Sequence, residues 1–395
     1  MDTFFKMSDT FMFQLPRKVI FGNGSVQKMG EEARGIVAGG KKALLVSDKG
    51  VVAAGLTAGA KASLEKSGFE VVVFDGVTAD APISLVHACT DLGRKEGADV
   101  VVAIGGGSVI DTAKAVSFMI PYKGKLEDNL GIGKVKQPGL PKIFVPTTAG
   151  TGSDLSHTFV LYDDTSGDKI TSYSPYCFAD ISIIDPTLTL NLPQRITAES
   201  GMDAFSHALE AFVTVKANPL SDVLALKGVE VISRNIQKAY AKGPQNLDAR
   251  YAMCFGVCMG TMAIRSSGVG AIHATCYPPA MEYHLSHGVA ISIMMPYVME
   301  YNLIANTGKY AAVAAAMGEK VDGLSEREAA QASVEAVKRL MKDMDIPLRL
   351  RDVGGKKEDF PKFAATVVKR YAHHIANNPR NLTEKDLLKI YEMAW

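Results

Sequence analysis

The chain has 395 residues, a formal net charge of +1 and 22% charged residues. A single core stops growing near this length, so two domains are expected; the near-neutral charge, without long runs of one sign, argues against nucleic-acid or membrane partners. Five cysteines, Cys89, Cys177, Cys254, Cys258 and Cys276, are an odd number and fit a reducing cytosol better than a disulfide framework.

At the N-terminus, Met1-Asp-Thr-Phe-Phe-Lys6 shows no basic segment followed by an apolar core. No stretch reaches transmembrane length without polar interruption, so a soluble cytoplasmic protein is expected. The first half then alternates short β-branched runs with helical stretches: 42–47, 70–74, 99–104 and 142–145, up to the segment 180–186. Continuous apolar strands separated by helices require a sheet covered on both faces. An α/β domain with a doubly wound, mostly parallel sheet is therefore predicted over 1–190. Beyond it the pattern turns to helical periods, punctuated by Pro193, Pro219, Pro244, Pro278, Pro279, Pro296, Pro347 and Pro361. An all-helical, metal-binding domain is predicted over 191–395, with the active site in the cleft between the two.

Three places along this frame carry chemistry. Asp48 ends the first of the strands, where a carboxylate accepts hydrogen bonds from ribose hydroxyls and repels a 2′-phosphate. Gly105, Gly106, Gly107 and Ser108 follow the strand ending at Ile104, and glycines at a strand-to-helix turn let backbone N–H groups approach a pyrophosphate. The spacing departs from the usual dinucleotide fingerprint, since Ile110 occupies the third glycine position. Asp203 and His207 stand four residues apart, one above the other on a helix. His273, His284 and His287 lie downstream, enough for a site of three imidazoles and one carboxylate that suits Zn²⁺, Fe²⁺ or another first-row ion.

The chain resembles the iron-dependent (group III) alcohol dehydrogenases over nearly its whole length. The resemblance rests on Pro16–Gly24, Ala103–Lys114, Pro146–Asp154, Ser200–Phe212, His287–Gly288 and Asn378–Arg380. It implies Asp203, His207, His273 and His287 as metal ligands, preferring His287 over His284 because Gly288 follows. It also assigns the dinucleotide to the Gly105–Ser108 turn with Asp111, and adds Thr147, Thr148, Thr151 and Lys169 as contacts. The implied activity is reversible hydride transfer between NAD(H) and a small alcohol or its aldehyde, assisted by Fe²⁺, with Zn²⁺ or Mn²⁺ as alternatives. A homodimer or larger homo-oligomer is expected. Many members carry a second histidine four residues after the first downstream ligand; here that position is Tyr277, a poorer base at neutral pH than imidazole. Tyr277 and His284 are the candidates for relaying the proton, and His157 is expected to face the same cleft. Two other readings stand beside this one: a lyase resembling dehydroquinate synthases, and a non-catalytic dinucleotide-binding protein.

Overall fold

The computed structural model describes residues 10–395; the leader reading at Met1–Lys6 falls outside the described residues. The chain divides into two compact units, Leu15–Asn191 and Leu192–Trp395, with residues 10–14 grouped with the second.

The first unit runs β1 (Lys18–Phe21), α1 (Met29–Ile36), β2 (Lys42–Val46), α2 (Lys49–Ala53), α3 (Ala58–Lys66), β3 (Glu70–Phe74), α4 (Ile83–Glu96), β4 (Val100–Gly105), α5 (Gly107–Met119), β5 (Lys142–Pro146), β6 (Thr158–Tyr162), β7 (Lys169–Tyr173) and β8 (Ile181–Ile184). Six strands form one sheet in the order β1-β8-β5-β4-β2-β3, each neighbouring pair parallel. Alternation along each strand explains the unbroken apolar runs. Leu44 and Val46 pack with Val86 and Cys89 of α4 and Val109 and Ile110 of α5. Ala43 and Leu45 point the other way, onto Met29 and Ala33 of α1 and Ala60 and Leu64 of α3.

Two features were not legible beforehand. Strand β1 joins the sheet edge beside β8, and β6 pairs antiparallel with β7 in a separate hairpin. Both consist of short runs whose half-exposed residues give little apolar signal. From β2 the chain moves outward to β3, then returns to place β4 on the other side of β2 and continues through β5 to β8. Winding thus reverses between β2 and β4. Ligands in open α/β sheets bind outside the carboxyl ends of strands at such a point.

The second unit is helical: α6 (Gln194–Val213), α7 (Pro219–Lys242), α8 (Leu247–Ser267), α9 (Ala271–Glu282), α10 (His287–Asn302), α11 (Thr307–Met317), α12 (Glu326–Asp343), α13 (Phe360–Arg370), α14 (Ala372–Ile375) and α15 (Glu384–Met393). Helix α6 is its axis, with fifteen of its residues buried. Lys309 on α11 ties that axis to α7, donating to Phe212 O at 2.6 Å and to both Asp222 oxygens at 2.8 Å. The helical run His287–Ala305 is long and apolar enough to cross a bilayer, yet its residues are mostly buried inside the fold, as in a core helix.

Not every proline marks a helix boundary. Pro193 and Pro219 stand at the starts of α6 and α7, but Pro278 and Pro279 lie inside α9, and Pro296 inside α10. A proline within a helix deprives the carbonyl four residues earlier of its N–H partner. For Pro279 that carbonyl is Thr275 O, and the buried Tyr391 hydroxyl donates to it at 2.9 Å. Tertiary packing thus repairs the break. Tyr391→Phe removes this donor and is expected to cost about 1–3 kcal/mol, read as a lower midpoint in chemical denaturation with an unchanged slope.

Candidate functional site

Asp203 and His207 lie on α6, His273 in the first turn of α9, and His287 opens α10. The Nε2 atoms of His287, His207 and His273 stand 3.4, 3.8 and 3.9 Å from Asp203 Oδ1. One ligand atom each from Asp203, His273 and His287 can be chosen so that all lie within 4.8 Å of one another. An ion held about 2.1 Å from four tetrahedral donors spaces them about 3.4 Å apart. Among the described residues neither Asp203 Oδ1 nor His273 Nε2 has a hydrogen-bond partner, although both are buried. A buried polar atom without a partner is costly, and a shared divalent cation satisfies both. The donor set therefore fits the metal that the resemblance implies.

Burial opposes ionisation of Asp203, but His207, His287 and His273 around it hold its carboxyl below the usual range. Burial also pushes the His207 imidazole down to about 4, which keeps it neutral and available as a ligand at pH 7. Of the four residues only His287 keeps a large exposed fraction, 36% of its side chain, so the cluster opens to solvent on that side.

Backbone packing sets these positions. A side chain on Gly288 would collide with the Glu199 carbonyl of α6, so only glycine after His287 lets α10 start against α6. Ahead of α9, Asn377 Nδ2 donates to Ser267 O at 2.7 Å and Val269 O at 2.9 Å. Asn378 and Asn302 exchange side-chain hydrogen bonds, both 2.8 Å, which ties the Asn378–Arg380 motif to the end of α10. The imidazoles differ in what holds their other nitrogen. His273 Nδ1 lies 2.5 Å from Glu210 Oε2, His287 Nδ1 lies 3.8 Å from Cys276 Sγ, and buried His207 Nδ1 has no hydrogen-bond partner. Sequence reasoning missed Glu210 and Cys276. Glu210 falls seven residues after Asp203 on the same helix face, a usable signal; Cys276 carried none.

His284 lies outside this cluster, exposed in the turn between α9 and α10 with φ of 51°. Tyr277 is stacked on His287 and Tyr371, with ring centroids 5.7 and 4.7 Å away. Burial, with Cys276 and Tyr371 beside it, pushes its phenol well above the usual range. His374, another residue the sequence did not flag, lies 6.3 Å from Tyr277 between ring centroids, and burial pushes it down to about 3.

In the first unit, Asp48 follows β2 and the Gly105–Ser108 turn follows β4, the two strands at the reversal of winding. Asp48 Oδ1 accepts the Val51 N–H at 2.9 Å and caps α2. Helix α5 starts at Gly107 without a side-chain cap, which leaves its first N–H groups available to an anion. Thr147 N–H donates to Gly105 O at 3.0 Å; a Cβ on Gly107 would stand 3.0 Å from the Thr151 side chain, and one on Gly106 would lie in ordinary contact with Thr148. These glycines and threonines thus form one surface. Ser108 Oγ accepts the Asp80 N–H at 3.1 Å, and Lys169 Nζ donates to Asp80 Oδ1 at 2.7 Å. Asp80 went unnoticed in the sequence; it and Ala81 hold φ of 66° and 51°, an uncommon conformation outside glycine. Asp111 is occupied internally, accepting from Ser153 Oγ at 2.5 Å and from Val160 N–H at 2.9 Å. His157 packs against Tyr173 and Phe178, with centroids 5.4 and 4.8 Å away.

Comparison with known proteins agrees with this arrangement. The sequence profile of iron-containing alcohol dehydrogenases matches residues 16–186, and that of the C-terminal part of the Fe-containing alcohol dehydrogenase family matches residues 197–395. The chain is 37% identical over 387 residues to a 1,3-propanediol dehydrogenase of Citrobacter freundii, covering 98% of this chain and 99% of that one. It is 33% identical over 382 residues to an NAD-dependent methanol dehydrogenase of Bacillus methanolicus, covering 97% and 99%. A crystal structure of a 1,3-propanediol oxidoreductase superposes with a TM-score of 0.94 at 35% identity, covering 98% and 100%. The chain belongs to the iron-containing (group III) alcohol dehydrogenase family. It is accordingly an alcohol dehydrogenase, and the lyase and non-catalytic readings fall away.

The stacked, high-pKa phenol of Tyr277 leads to a definite expectation. Loss of a positioned acid–base group costs on the order of a hundredfold or more in rate, and Tyr277→Phe should cost far less. Steady-state kinetics across pH check this; a profile that loses a limb on substitution would make the hydroxyl a proton relay.

Proposed function

We propose that this chain catalyses reversible hydride transfer between the nicotinamide of NAD(H) and the carbinol carbon of a small primary alcohol such as 1,3-propanediol, or its aldehyde. Asp203, His207, His273 and His287 hold the divalent ion, Fe²⁺ by family and Zn²⁺ or Mn²⁺ by the same donors. The observation that carries the reading is Asp203 Oδ1: buried, without a hydrogen bond, and ringed by three imidazole nitrogens within 3.9 Å. When bound, the ion supplies Lewis acidity that lowers the pKa of an alcohol and polarises a carbonyl.

The residues themselves do the rest. Asp203 supplies a negative charge toward the cation, and the three imidazoles would complete the donor set through neutral ring nitrogens. The exposed side of His287 gives the substrate its approach. The Gly105–Ser108 turn and the uncapped start of α5 receive the pyrophosphate, with Thr147, Thr148, Thr151 and Lys169 around it. Asp48 keeps one oxygen on the Val51 N–H and offers the other to the adenosine ribose hydroxyls. The cysteines, all five buried and free, suit a reducing compartment and support a cytoplasmic location.

Metal removal tests the central claim. Chelation should abolish NAD reduction with 1,3-propanediol or methanol, followed by NADH absorbance, and Fe²⁺ should restore it. Asp203→Asn should prevent that restoration. Metal-replete protein that turns over no small alcohol or aldehyde in either direction would refute the reading.

Cofactor choice is a separate expectation. Removing the Asp48 carboxylate relieves repulsion of a 2′-phosphate, worth about 1.4 kcal/mol or a tenfold change in relative affinity. Asp48→Gly should therefore narrow the preference for NAD over NADP by about tenfold, measured as the ratio of the two kcat/KM values.

A further inference from the structure

Glu210 has no task in the reaction just described, yet it is built into the centre. It lies on α6, 2% exposed, two helical turns beyond Asp203. Both of its oxygens are engaged by α9. Oε1 accepts the Ile272 N–H at 2.7 Å, and Oε2 faces His273 Nδ1 at 2.5 Å. Gly270, just ahead of α9, leaves room for this approach, because a Cβ there would stand 3.1 Å from Glu210 Oε1. The ionic partner of Glu210 is His273.

A carboxylate buried against an imidazole and a backbone amide accepts from both. His273 must then carry its proton on Nδ1, which leaves the Nε2 lone pair directed at the point 3.9 Å from Asp203 Oδ1. Asp203 and Glu210 bring two carboxyl groups to the cluster, one on each side of His273. Two carboxylates are the number that a divalent ion balances.

We infer that Glu210 is a positioning residue for His273: it selects the Nδ1–H tautomer, locks the ring, and supplies the second negative charge that raises affinity for a divalent cation. The inference rests on the metal reading above. It distinguishes His273 from His207 and His287, whose Nδ1 atoms meet no carboxylate. Partners of this kind typically contribute 10–100-fold in metal affinity.

The test uses the full-length chain. Zn²⁺ is titrated against a chromogenic chelator in the wild type and in Glu210→Gln, and the metal-free proteins are compared by long-range ¹H–¹⁵N spectra of the histidine rings. The amide in Glu210→Gln still accepts from Ile272 while its NH₂ faces His273. Zn²⁺ affinity is expected to fall about 10–100-fold, and His273 to move to the Nε2–H tautomer. Unchanged affinity and tautomer, with only the melting temperature altered, would reduce Glu210 to a structural brace and overturn the inference. So would a wild-type His273 protonated on Nε2, a measurement that needs no variant to fold. Wild-type protein that binds no Zn²⁺ while keeping the Nδ1–H tautomer would overturn the metal reading, and would still support the hold of Glu210 on His273.

Discussion

A carboxylate oxygen buried without a hydrogen bond is among the costliest things a folded chain can contain, and Asp203 Oδ1 is one. The helical unit is arranged around that cost. Three imidazoles are brought within 3.9 Å of the oxygen from α6, α9 and α10; helix geometry alone places His207, whereas His273 and His287 arrive only by packing between helices. Gly288 lets α10 begin against the α6 backbone, while Asn377 and Asn378 pin the segment that leads into α9. The same device that would be a defect in a structural core becomes a metal site when several lone pairs converge on one point.

The α/β unit solves a different problem with different physics. The groups proposed to receive the dinucleotide are mostly backbone: a glycine turn, an uncapped helix start and the carboxyl ends of two strands at the reversal of winding. Side chains enter at the margins, as Asp48 capping α2 and as the Ser108, Asp80 and Lys169 cluster. Asp80 and Ala81 hold left-handed backbone there, a small store of strain beside a binding surface.

Relatives with established names for small alcohols share both units at 33–37% identity. The four residues proposed as metal donors are those the family resemblance implies, whereas Tyr277 departs from it. The structure gives the departure a physical setting: the phenol is part of a stack running through His287, Tyr371 and His374, in which burial suppresses ionisation. Stacking against His287 is a steric role that an aromatic ring fills as well as an imidazole.

Much of this was legible in the sequence, for reasons of period and chemistry. Apolar runs flanked by glycines marked β2, β4 and β5, buried on both sheet faces, and the edge strand β3, whose β-branched run is only partly buried; Asp203 with His207 was readable because four residues return to the same helix face. Other features had no local signature. The edge strand β1 and the β6–β7 hairpin are half-exposed, so their composition resembles that of loops. Pro279 read as a break, and the α9 helix continues through it because Tyr391, 112 positions later in the chain, replaces the missing donor. The choice of His287 over His284 needed either the family pattern or the fold: three residues apart, they are equivalent as ligands, and only the close packing at Gly288 carries one inward while the turn leaves the other exposed. Residue types and periods thus determined which groups are present and which secondary structure bears them. Which lone pairs meet, and which carboxylate stands behind them, was decided by helix packing between segments some seventy residues apart, because a contact between distant segments leaves no periodic trace in either one.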